Sequence, residues 1–218
     1  MVTPGSLKRS VADALGLSDQ LERVDVHLRN LREAGLISKA KTGKGAAEMG
    51  PQDAANLLVA VAASELVKDS VRNVERYGSL RADPASVSLH GGRTLADMRL
   101  PLVTTPSDHT FIDATRRILA SLGSATFFSE ANRRGIDRWR PVPDTAEYLF
   151  IRFFLPFEAV SILYGARRRY QVHLLYGSLP VADPRAAWDL RSIDTNGRLL
   201  TLRVVDKVAL TKIAKSIA

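Results

Sequence analysis

The chain contains no cysteine, which excludes disulfides, thiolate zinc sites and cysteine nucleophiles. That absence also suits a reducing compartment. It has no long uninterrupted apolar run. The most apolar stretch, Tyr148 to Tyr164, is broken by Arg152, Pro156 and Glu158, and falls short of the roughly 20 residues that spanning a bilayer requires. The first ten residues carry Lys8 and Arg9 but no apolar core and no small-residue cleavage site, so no signal peptide is expected. The expectation is a soluble, cytoplasmic protein with no membrane partner.

Catalytic signatures are equally sparse. His27, His90, His109 and His173 show no metal-ligand spacing, so no metal is expected. His90-Gly91-Gly92-Arg93 resembles an oxyanion loop but no G-x-S-x-G elbow accompanies it. Neither a Walker A motif nor G-x-G-x-x-G occurs, so no nucleotide cofactor is expected. An enzyme acting on nucleic acid would need clustered carboxylates for metal ions, and Asp183, Asp189 and Asp194 are the densest acidic stretch. The reading is a protein that is not an enzyme and carries no cofactor.

What is present is positive charge on an ordinary globular composition. The 218 residues are 45% hydrophobic and 25% charged, with a formal net charge of +8. A chain of this length buries roughly 70% of its unfolded surface, in one large or two small domains. Residues 1–50 carry 8 basic and 6 acidic groups, 51–110 carry 6 and 7, and 111–218 carry 17 and 10. The surplus therefore sits in the second half, as Arg116-Arg117, as Arg133, Arg134, Arg138 and Arg140 around Trp139, and as Arg167, Arg168 and Arg169 before Tyr170. Arginines interleaved with aromatics suit a second nucleic-acid contact or an acidic protein surface.

Periodicity gives the elements. Leu7, Val11, Ala14 and Leu15 have helical spacing, broken at Gly16. Leu21, Val24, Leu28 and Leu31 form the stripe of a second helix, with Ser18 or Asp19 as N-cap and Gly35 as left-handed C-cap. Residues 36–40 read as a strand, Lys41 to Gly45 as a basic glycine turn, and 46–49 as a return strand. Gly50-Pro51 starts a helix that is apolar almost all round over Ala54 to Ala63, with a continuation through Leu66, Val67, Val71, Val74 and Tyr77. That helix is the candidate surface for coupling two copies.

In the second half, Phe111, Ile112, Thr115, Ile118, Leu119 and Leu122 share a helix face ended by Gly123. Alternation predicts one strand through Leu149, Ile151, Phe153 and Leu155 and another from Tyr170 to Tyr176, joined around Gly165. Asn196-Gly197 predicts a hairpin between Trp188 to Ile193 and Leu199 to Val205. A final helix has Asp206 as cap and Val208, Leu210, Ile213 and Ile217 as its stripe.

The helix, the Leu15-Gly16-Leu17 turn, the second helix with Val24, Leu28 and Leu31, and the Gly35-Leu36-Ile37 step before a basic turn together resemble the winged helix-turn-helix of bacterial transcription regulators. The resemblance covers about residues 7–65. It implies that Val24, Leu28 and Leu31 anchor a recognition helix and that Gly35-Leu36-Ile37 opens the wing. Only six residues precede Leu7, where that family usually has a full helix.

From the helical offsets alone, Gln20, Arg23, His27 and Asn30 occupy a polar face opposite the stripe and are residue types that read base edges. Lys39, Lys41 and Lys44, beside Gly43 and Gly45, suit phosphate contact.

The expected fold is α+β. A helical winged helix-turn-helix domain spans residues 1–77, a linker 78–106, and a domain with an antiparallel sheet and packed helices 107–218. The expected function is sequence-specific binding of double-stranded DNA by a homodimeric transcriptional regulator, with the C-terminal domain available to another protein. The alternative is a non-enzymatic structural or assembly protein of a mobile element that holds DNA through the Arg-rich second half.

Overall fold

The computed structural model of the protein describes residues 2–39, 47–82, 88–90, 109–127, 147–155, 157–166, 170–179 and 201–218. Helix α1 (Pro4–Ala14) begins where sequence chemistry places a start: Thr3 Oγ1 accepts from Ser6 N at 3.2 Å, Thr3 N donates to Ser6 Oγ at 2.9 Å, and proline occupies the first turn. Leu7, Val11 and Ala12 form its buried side. Helix α2 (Leu21–Glu33) follows a single 3₁₀ turn, Ser18–Gln20. Gln20 rather than Ser18 or Asp19 is the N-cap residue, and its side chain makes no capping bond. Gly35, at φ +78°, closes α2, and Leu36 N donates to Leu31 O at 2.8 Å.

Helix α3 (Pro51–Ala63) is buried from Asp53 to Ala63 without interruption. The expected continuous helix to Tyr77 does not form. Ser64 is extended, and Asn73 Nδ2 donates to Ala63 O at 3.0 Å and to Ser64 Oγ at 3.1 Å, capping the carbonyl end of α3. Helix α4 (Ser70–Gly78) then returns, while Leu66 of the expected stripe is 55% exposed. Because α3 packs against α1, α2 and α4, its apolar surface is consumed within its own unit and is no surface for coupling two copies.

The chain divides into two compact units, which are not the contiguous domains expected from the sequence. The first comprises Met1–Ser79, Ile112–Thr126 and Val208–Ala218; the second comprises Leu80–Phe111 and Phe127–Lys207. Helices α5 (Phe111–Gly123) and α6 (Lys207–Ser216) rejoin the first unit because small residues let them approach. Gly78 lies against Ile112, and Gly123 lies so close to the Ala214 carbonyl that an added Cβ would stand 3.1 Å from it. Lys212 Nζ also pairs with Asp13 at 3.0 Å. In α6 Leu210 and Ile213 are buried as expected, with Ala209 and Ala214, but Val208 is 64% exposed.

The second unit is built on an antiparallel sheet in the order β1-β4-β3-β2-β5: β1 (Ser88–His90), β2 (Glu147–Leu155), β3 (Ala159–Ala166), β4 (Tyr170–Tyr176) and β5 (Thr201–Asp206). Residues 88–90, placed in a linker by the sequence, are therefore an edge strand against β4. The two strands expected to join around Gly165 are separated by a third. Gly165 lies inside β3, between Tyr148 of β2 and Gln171 of β4. The turn that creates β3 gave no glycine or asparagine signal, since Glu158 itself takes the positive φ, +50°.

Strand β5 pairs with β2 among the described residues, and the Asn196-Gly197 hairpin lies outside them. One sheet face carries Leu149, Ile151, Phe153, Ile162, Tyr164 and Tyr176, all buried. Phe111 meets Phe153 and Tyr176 edge-on at 5.7 and 5.4 Å, and Phe127 meets Tyr164 at 5.5 Å. His109 Nε2 is 2.8 Å from Tyr176 Oη.

Candidate nucleic-acid interface

The polar face of α2 expected to read bases is committed to the chain itself. Arg23 donates to Glu65 O at 2.8 Å, Asn30 Nδ2 donates to Val67 O at 2.8 Å, and His27 Nδ1 lies 2.7 Å from Ser70 Oγ. Ser70 Oγ gives its own proton to Val67 O, so it accepts from the His27 Nδ1–H. Gln20, itself exposed, holds Arg23 at 3.4 Å. These side chains satisfy backbone carbonyls and a hydroxyl in the connector between α3 and α4, which a non-helical segment would otherwise leave unpaired. His27 is fully buried. Arg23, His27 and Asn30 thus fasten the segment from Glu65 to Ser70, 37 to 43 residues away in sequence.

The outward side of α2 is different. Glu22, Arg29, Arg32 and Glu33 are exposed. Asp25 is bridged by Lys8 Nζ at 2.7 Å and Arg29 at 3.8 Å. The Lys8 hydrogen bond, aided by the charges of Lys8, Arg29 and Arg32 and opposed by partial burial, holds the Asp25 carboxyl below its ordinary range. One of the three acidic residues of α2, Asp25, is thereby neutralised beside Arg29.

Arg32 leads through Gly35 into the basic segment. Lys39 is exposed; Lys41 and Lys44, with the turn between them, lie outside the described residues. The flanking residues 36–39 and 47–49 are not strands, so the described legs do not form the wing ladder expected from sequence. They are held by α3 instead. Asp53 Oδ1 accepts from Ser38 N at 2.7 Å, and its Oδ2 accepts from Ser38 Oγ at 3.0 Å and Gly50 N at 2.8 Å. Asn56 Nδ2 donates to Leu36 O at 2.6 Å and is itself oriented by Gln52 at 3.1 Å. Ile37, Ala47 and Met49 are buried beneath. One carboxylate thus holds Ser38 and Gly50 together, beside an open cleft of about 380 Å³ lined by Gly35 to Lys39, Gln52 and Asp53.

Local sequence patterns did not reveal the tie that Asp53 makes. The available signal was Asn56, a lone amide inside an otherwise apolar helix, which must find partners when buried. Replacing Asp53 by alanine is expected to lower stability by about 2 kcal/mol, since three charge-assisted bonds go and two backbone donors lose their acceptor. Urea unfolding measures it, and Asp53→Asn, which keeps one acceptor oxygen, should lose less.

Arg133, Arg134, Arg138, Arg140, Arg167, Arg168 and Arg169 lie outside the described residues. Among the described residues no group of His, Asp or Glu is disposed to hold a metal ion, and no helix is long and apolar enough to cross a membrane. The class defined by the fold is α+β, a helical unit and an antiparallel-sheet unit. No family model, curated protein or solved structure matches the chain.

Proposed function

We propose that the protein binds double-stranded DNA through the phosphate backbone, using the loop of Lys39, Lys41 and Lys44 together with Arg29 and Arg32, and acts as a transcriptional regulator. The observation that carries this reading is the Asp53 tie, which closes a glycine-containing basic loop at its base. A loop whose ends are fixed loses less entropy when its lysines engage phosphates. Neutralisation of Asp25 beside Arg29 supports the same surface.

The test is salt-dependent DNA affinity. Each phosphate neutralised contributes about −0.9 to the slope of log K against log salt, so Lys41→Ala with Lys44→Ala should flatten it by about 1.8 per protein copy and weaken binding to all sequences alike. Two copies on one site would double the slope. Arg23→Ala and Asn30→Ala should leave base preference unchanged. An unaltered slope in the double lysine variant refutes the loop contact, and relaxed base preference in Arg23→Ala restores the original reading of α2.

A second reading is a non-enzymatic assembly protein of a mobile element that holds DNA through the Arg-rich segments. It is favoured by the engagement of Arg23, His27 and Asn30, three of the four residues expected to read bases, with groups of the chain itself. Footprinting separates the two: a defined protected sequence supports the regulator, and uniform protection insensitive to the loop lysines supports assembly.

A further inference from the structure

The sheet face opposite the aromatic core carries a polar group that the apolar surroundings do not explain. Arg152 of β2 stands directly across from Ser161 of β3, Ser161 stands across from Leu175 of β4, and His173 is two residues before Leu175. All three side chains therefore project to the same side from adjacent strands about 4.8 Å apart. At one end of this face Phe154, Ala159, Leu175 and Leu179 form an apolar cluster with Phe157 and Leu202 packed on it. Towards the other, Tyr148 stacks on Phe150 at 6.1 Å.

Ser161 and His173 are fully buried, yet Ser161 Oγ and both ring nitrogens of His173 have no hydrogen-bond partner among the described residues. Arg152 lies with its guanidinium carbon 5.9 Å from the Phe150 ring centre and makes no ion pair among the described residues. Buried polar groups in folded proteins are almost always paired, and an isolated unpaired donor is costly. Here two side chains without partners and a cation without an ion pair among the described residues converge on one patch. A guanidinium fork, a hydroxyl and an imidazole N–H all donate, and the acceptor that satisfies them together is an oxyanion.

We propose that Arg152, Ser161 and His173 form a binding site for the oxyanion of a small ligand, a phosphate or a carboxylate. Burial and the Arg152 charge keep the His173 ring neutral, so it offers one N–H beside a fixed positive charge. The apolar cluster bounds the polar site at one end, and at the other Asp206 of β5 stands across from Phe150 on the same face.

The test uses the full chain at constant ionic strength, with inorganic phosphate in one arm and acetate in the other. The readouts are the His173 imidazole resonances and the thermal midpoint. In the wild type one anion should shift the His173 resonances saturably and raise the midpoint by about 5 °C at 100-fold excess over Kd. A response to phosphate alone assigns the phosphate class, and a response to acetate alone the carboxylate class. Arg152→Gln should weaken binding about 10- to 100-fold, and Ser161→Ala, which removes one oxygen and is sterically benign, about 5-fold. The proposal is overturned if neither anion moves His173, as when the groups bind only water. It is equally overturned if the midpoint rise persists in Arg152→Gln, the mark of an adventitious ion only.

Discussion

Alanine at position 177 is expected to cost about 4 kcal/mol. Gly177 follows β4 at φ +79°, a conformation L side chains rarely adopt, and the strain there is about 1–2 kcal/mol. The added methyl would also stand 2.5 Å from the Glu158 carbonyl oxygen and 3.3 Å from the Leu80 side chain. Leu80 could yield, but the carbonyl belongs to the β2–β3 turn, where Glu158 already holds positive φ. Moving it would disturb the β2–β3 pairing or break the bond from Gly177 N to Arg81 O. Overpacking of this kind adds about 1–3 kcal/mol. Chemical denaturation of Gly177→Ala against the parent measures the sum. Gly35→Ala, also at positive φ but with nothing within 4 Å of the added carbon, should cost only the backbone strain, about 1 kcal/mol.

Acidification should remove about 3 kcal/mol of stability between pH 6.5 and 4 through His173 alone. Burial in the sheet, with a smaller contribution from the Arg152 charge, pushes its pKa down to about 4 from an ordinary value near 6.5. Above pH 6.5 the ring is neutral in both states and contributes no pH dependence. As pH falls through that window the unfolded chain takes up the proton while the folded chain resists, so the unfolded state binds more protons and stability declines. Below pH 4 this loss levels off, and Asp25, whose depressed pKa stabilises the fold at higher pH, begins to contribute as its carboxylate is protonated. Unfolding free energy measured from pH 8 to 4 should slope accordingly. His173→Gln, which cannot take up a proton, should flatten the slope over that window.

The relation between the basic loop and the rest of the helical unit bears directly on how DNA binding would be tuned. Asp53 is 5% exposed and serves both as the N-terminal cap of α3 and as the tie between Ser38 and Gly50. Loop geometry and the stability of the most buried helix therefore depend on one carboxylate. A variant that frees the loop will also weaken α3. For that reason the Asp53 substitutions do not isolate the binding step.

Local chemistry was legible in particular residues. Gly35 stops α2, Pro51 opens α3 and Gly123 ends α5, each because capping and the breaking of periodicity act within one helical turn. The alternation Leu149, Ile151, Phe153, Leu155 placed β2 and its buried face correctly. Leu66 misled because apolar spacing continues across Ser64, whereas the helix ends where Asn73 reaches its terminal carbonyl. Strand β3 was hidden because its entry turn uses Glu158 at positive φ in place of the glycine that sequence rules look for.

By itself, then, the amino-acid sequence determined the α+β class, the stop of α2, the start of α3 and the end of α5, the buried stripes of α2 and α5, the buried face of β2 and the basic character of the segment after Gly35. All of these follow from interactions between residues within one or two turns of one another. Only the tertiary structure decided which polar side chains are spoken for. His27 and Asn30 meet partners 43 and 37 residues away, Asp53 closes a loop 15 residues back, and Arg152, Ser161 and His173 come together across three strands. A polar side chain near a fold's interior is claimed by whichever unpaired backbone group or charge the packing brings to it, and that pairing depends on the closed chain and not on helical or strand period.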